Sequence, residues 1–131
     1  MEKDKLGALA EVKLFEGLPK AQLASLAEIA LLKRFKAGAP LFEAGQPGTH
    51  FYAVVTGKVR VYRAAPSGKE QILHVFGAGE AFAEVPVFEG KTYPASAQAL
   101  EDSLMVSIPR KEFVEVLRRD PELALGVMAL L

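Results

Sequence analysis

The chain has 131 residues, enough for one compact domain at roughly 100 to 200 residues each. Half of its residues are hydrophobic and 24% are charged, which excludes a disordered or collagen-like chain. Sixteen Lys and Arg balance sixteen Asp and Glu, so no surplus positive charge draws it to nucleic acid or anionic lipid, and the lack of cysteine excludes disulfides, thiolate metal sites and a catalytic thiol.

Leu6, Leu9, Ala10 and Leu14 form a helical stripe over Leu6–Phe15 that stops at Gly17. Pro19 suits the first turn of a second helix, whose buried face is Leu23, Leu26, Ala27, Ala30 and Leu31. After Leu32, glycine and proline punctuate the chain and leave room only for short segments. Five of these, Phe51–Val55, Lys58–Tyr62, Glu70–Phe76, Ala95–Leu100 and Leu104–Ile108, are rich in β-branched and aromatic residues and are spaced like strands of a sandwich or barrel. Thr56-Gly57 reads as a tight turn and Pro66-Ser67-Gly68 as a hairpin loop.

Helix returns after Pro109, with Phe113, Val116 and Leu117 as a narrow stripe. Asp120-Pro121-Glu122 then supplies an N-cap, a first-turn proline and a dipole-favoured acid for a last helix. Its apolar positions, Leu123, Val127, Leu130 and Leu131, run to the final residue without a cap, which predicts that the natural chain continues and that this stripe is a dimer face. The longest apolar run, Leu123–Leu131, is far below the roughly 20 residues of a membrane span, and the N-terminus has no secretory pattern, so a cytoplasmic location without membrane contact is expected.

Four segments in this order carry a family pattern: Leu14-Phe15-Glu16-Gly17-Leu18, Leu41-Phe42-Glu43-Ala44-Gly45-Gln46-Pro47-Gly48, Phe51 through Tyr62, and Gly79-Glu80-Ala81-Phe82-Ala83-Glu84. Together they resemble the cyclic-nucleotide-binding domain of Crp/Fnr transcription regulators over nearly the whole chain. The resemblance implies a mainly β fold with flanking helices, a double-stranded β-helix or jelly roll. It implies a sensor domain over 1–120 and the start of a dimerisation helix over 121–131. DNA contact would come only through a helix-turn-helix domain absent from this chain.

The family's pocket contains a Phe-Gly-Glu turn whose acid takes the ribose hydroxyl, followed by Arg-Ser-Ala whose Arg pairs with the cyclic phosphate. Here the turn reads Phe82-Ala83-Glu84, and Tyr93-Pro94-Ala95 replaces the arginine motif. A buried phosphate needs a paired cation, best a bidentate guanidinium, so its loss predicts weak cyclic AMP binding; Lys91 is the one neighbouring cation in sequence. Tyr-Pro-Ala-Ser-Ala after Phe-Ala-Glu also resembles the branch that answers nitric oxide or anaerobic respiration, where some members carry haem. The candidate effector-pocket residues are Val59, Leu73, His74, Phe82, Ala83, Glu84, Tyr93 and Pro94, with His74 the candidate haem ligand.

Each has a plainer reading beside the functional one. Tyr93 and Pro94 would simply begin a buried strand. Glu84 would accept the amides of its own turn, an unpaired carboxylate in apolar surroundings being costly. His74, expected on one strand face with Ile72 and Phe76, would be a core histidine, and His50 sits in a turn. Lys33, Arg34, Lys36, Lys58, Arg60 and Arg63 read as a solvated outer face. Jelly-roll metalloenzymes need three convergent ligands, whereas the two histidines lie 24 residues apart, and no catalytic triad, phosphate loop or HExxH is present. The expected function is effector sensing for a regulator, the alternative a stand-alone ligand-binding module, and no enzyme activity is expected in either.

Overall fold

A computed structural model describes residues 4–129. Helix α1 covers Lys5–Ala10, capped by the Asp4 carboxylate, which accepts from the Gly7 amide. The continuous helix expected over Leu6–Phe15 is broken. Val12 is extended, the Lys13 amide donates to the Gly79 carbonyl at 2.9 Å, and a 3₁₀ turn follows at Lys13–Phe15. A bond to the distant loop replaces the one that would have continued the helix.

Helix α2, Lys20–Ile29, follows Pro19 and stops because Ala30 is extended. Leu31, expected on this helix, instead opens strand β1, Leu31–Phe35. The remaining strands are β2 (Pro40–Phe42), β3 (His50–Thr56), β4 (Val59–Ala64), β5 (Glu70–Phe76), β6 (Ala81–Phe82), β7 (Ser96–Ala99) and β8 (Ser103–Pro109). They make two antiparallel sheets with orders β1-β8-β3-β6 and β2-β7-β4-β5. Helix α3, Glu84–Glu89, interrupts the β region; α4, Arg110–Arg119, and α5, Pro121–Met128, close the described chain.

The inner faces of both sheets and the helices share one core. Its aromatic centre joins the layers: Phe51 of β3 meets Phe113 of α4 edge-on at 5.1 Å, and Phe113 stacks on Phe88 of α3 at 5.2 Å. A buried side chain of this size contributes about 1.5–3 kcal/mol, so these contacts fasten α3 and α4 to the roll.

Asp120 caps α5, accepting from the Leu123 amide at 3.1 Å, with Pro121 at the first helical position. The apolar stripe proposed as a dimer face is corrected here. Leu123 and Val127 are buried within this chain. Close approach is allowed by Gly126, where an added Cβ would lie 3.0 Å from Leu18 Cδ2. The exposed apolar side chains of α5 are Leu125 and Met128 instead. Leu130 and Leu131 lie outside the described residues. No described helix is long and apolar enough to cross a membrane.

Candidate effector cavity

The Gly77–Glu84 segment folds back on β3. Gly77 donates to the Glu80 carboxylate at 2.9 Å, Gly79 to the Val54 carbonyl at 2.8 Å, and Tyr52 and Ala53 pair with β6. The chain must then reverse from β6 into α3. It does so at Ala83, whose φ of 66° and ψ of 11° lie in the left-handed region. For a residue with a Cβ this costs about 1–2 kcal/mol, and Ala83 is the one non-glycine with positive φ among the described residues.

Tyr93 reaches the site from the other side. Its amide donates to the Gln46 carbonyl at 2.9 Å, its carbonyl accepts from Gly45 at 2.8 Å, and its ring stacks on Phe42 with centroids 3.8 Å apart. Phe42 in turn lies against Tyr52, and Tyr52 stacks on Phe82 at 5.7 Å. Burial, with Tyr93 adding a smaller effect, pushes the Tyr52 phenol up to about 12, so it is neutral at physiological pH. Strand β7 starts only at Ser96; Tyr93 and Pro94 belong to the connection before it.

Beneath α3 these elements leave an apolar cavity of about 160 Å³. Phe42, Phe82, Tyr93 and Ala95 form its buried wall. Val61, Phe76, Ala83, Pro86 and Pro94, all partly or fully exposed, surround its mouth. Phe76 stacks on Phe82 at 5.1 Å, and with Phe42 and Tyr93 these rings are four of the nine lining residues. No lysine, arginine, histidine or carboxylate is among the lining residues.

The cavity brings together four of the candidates, Phe82, Ala83, Tyr93 and Pro94. The other four lie elsewhere. Val59 is fully buried in the core, and Leu73 is exposed. Glu84 is the first residue of α3, half-exposed, and makes no hydrogen bond or ion pair with the described residues, so it does not hold the amides of its own turn. His74 is exposed, with its ring 4.3 Å from that of Phe76 outside the lining. Its expected face is half right: Val61 pairs with His74 and Tyr62 with Ile72, so an irregularity at Leu73 puts Ile72 and His74 on opposite faces.

Phe42, Val61, Phe76, Pro86 and Ala95 complete the lining beyond the expected residues, although Phe42, Val61 and Ala95 stand inside the motif segments. The cation near Pro94 is also different from the one expected. Lys91 is exposed, forms a 2.8 Å ion pair with Glu89 that raises its pKa, and lines a separate groove. Arg63 of β4 instead donates through Nε to the Pro94 carbonyl at 3.1 Å. Arg60, expected on a solvated face, is tied to Glu70 at 2.9 Å and Gln98 at 2.8 Å and lies over Tyr62.

The separate groove, about 950 Å³, runs between 47–50, 90–92 and the start of α4. His50 lies there; partial burial and the positive charge of Lys33 lower its pKa, with Glu112 opposing them. Haem does not fit the apolar cavity. Its volume is below the roughly 300–1,000 Å³ that even drug-sized ligands occupy, and His74 is exposed and not among its lining residues.

A β roll whose motif residues surround an apolar cavity open at one side defines a sensor domain by its architecture. The model of the cyclic nucleotide-binding domain matches residues 32–120, and the chain belongs to that family, with Crp/Fnr-type regulators among its relatives. It is 32% identical over 118 residues to the cyclic AMP receptor protein of Thermus thermophilus, covering 90% of this chain and 55% of that protein. The sensor domain of the transcriptional regulator DNR from Pseudomonas aeruginosa superposes with a TM-score of 0.79 at 34% identity, covering 93% of this chain and 82% of that one. The N-terminal domain of a transcriptional regulator from Streptomyces coelicolor gives 0.84 at 28% identity, over 94% and 88% of the two chains. The chain spans about half the length of the curated relatives it matches.

Proposed function

We propose that this chain is the effector-sensing part of a Crp/Fnr-type transcription regulator and that its effector is not a cyclic nucleotide. The supporting observation is the lining of the cavity under α3, where no cation faces a would-be phosphate. A phosphate monoanion moved out of water needs a charged partner, and the guanidinium of Arg63, bonded to the lining residue Pro94, is turned to its carbonyl. Effector binding would act by favouring one packing of the roll against its helices, and DNA binding would reside in a segment outside this chain. Dimerisation would use the Leu125 and Met128 side of α5.

Titration calorimetry with cyclic AMP tests the reading on the 131-residue chain. The expected outcome is no saturable heat. A dissociation constant in the low micromolar range or below, weakened in Arg63→Ala or Glu84→Ala, would show a rebuilt phosphate or ribose contact and overturn it.

A further inference from the structure

Resting on that sensor reading, we propose that the cavity under α3 is a binding site for an uncharged, single-ring aromatic molecule of benzene or toluene size. Three observations define that ligand.

Size is the first. The cavity of about 160 Å³, open to solvent past Pro94 and Ala83, is close in volume to an enclosed apolar cavity of roughly 150 Å³ that takes up benzene or xenon, and it falls short of the volume a purine nucleotide needs.

The second is polarity. Tyr93 has the only hydroxyl among the lining side chains, and that hydroxyl already donates to the His50 carbonyl at 2.6 Å and accepts from the His50 amide at 3.1 Å. A ligand hydroxyl or charge pointed inward would therefore leave its water without finding a side-chain partner, whereas a ring or methyl loses nothing.

The third is the shape of the walls. Phe42 and Tyr93 are stacked with an interplanar angle of 14°, and Phe76 and Phe82 with one of 24°, so four of the nine lining residues are aromatic and lie in two stacked pairs. Offset stacked and edge-on contacts with these rings favour a flat guest over an alkyl chain of equal volume. Substituents that need water would have to leave past Pro94 and Ala83 at the mouth.

Fluorobenzene is the probe, followed by its ¹⁹F resonance as the chain is titrated, with benzene as the unlabelled competitor. The expected result is saturable binding, displaced by benzene, with intermolecular nuclear Overhauser effects to the Val61 methyls. Val61→Phe, which places a ring in the cavity, should weaken binding at least tenfold. If that variant does not fold, the Val61 contacts in the unaltered chain still decide the matter. Non-saturable partitioning, or saturable binding without contacts to Val61, would overturn the site. Either failure leaves the sensor reading to stand or fall separately on the cyclic AMP titration.

Discussion

The Tyr93 hydroxyl holds both peptide groups of His50, donating to the carbonyl at 2.6 Å and accepting from the amide at 3.1 Å. On that edge of β3, strand β6 reaches only Tyr52 and Ala53, so the peptide of His50 lies beyond its end. A phenol from the 93–95 connection substitutes for the missing strand. This gives the residue that replaced the family's arginine motif a structural duty.

Tyr93→Phe keeps the Phe42 stack but deletes both hydrogen bonds. Leaving partly buried peptide groups unpaired should cost about 1–3 kcal/mol. Urea unfolding should show a lower midpoint with an unchanged slope; an unchanged midpoint would mean that water replaces the phenol at no cost.

Ala83→Gly should stabilise. Relief of a left-handed alanine, offset by the greater freedom of glycine in the unfolded chain, leaves a net gain of about 0.5–1 kcal/mol. Thermal unfolding is the measurement, and a lower Tm would show that the methyl's packing at the cavity mouth outweighs its backbone strain.

Gly57→Ala should be among the most damaging single-methyl changes. Gly57 has φ of 100°, and an added Cβ would sit 2.7 Å from Ser103 Cα, a backbone atom that cannot swing aside. Strain and overlap together predict a loss of about 3 kcal/mol or more. Retention of near-normal stability in chemical denaturation would contradict this account of the β3–β4 turn.

The lowered pKa of His50 makes stability depend on pH in one direction. Above its ordinary value of 6.5 the ring is neutral whether folded or unfolded, and the full stability is present. As pH falls below 6.5 the unfolded chain takes up the proton first, so stability declines until the folded ring is protonated as well. Denaturation series between pH 7.5 and 5 should show this decline, flattened in His50→Gln and reduced in Lys33→Gln. Equal slopes in all three proteins would assign the decline to other groups.

Strands β3, β4, β5 and β8 were legible because their β-branched and aromatic residues lie between glycine or proline turns. β1 was not: Leu31 continues the apolar spacing of α2, and only the extended Ala30 ends that helix. α3 stayed hidden in the Phe-Ala-Glu motif because a left-handed alanine carries no sequence signal of the kind glycine does. Half of the expected pocket residues meet at the cavity, those on the two motif segments except Glu84. The expected common face of Ile72 and His74 fails because period-two reasoning cannot foresee the irregularity between them. For Leu123 and Val127 the sequence shows an apolar face but not that the chain itself covers it.

Helix α3 is bounded at both ends by left-handed residues, Ala83 and Gly90, with φ of 66° and 70°. Besides the stack of Phe88 on Phe113, it is tied to α4 by the hydrogen bond from Arg110 Nε to the Val87 carbonyl at 2.8 Å. That bond starts on the first residue of α4, and α4 hands directly to α5 at Asp120. A guest that lifted α3 would act through Arg110 on α4, and through α4 on the outer face of α5 that carries Leu125 and Met128.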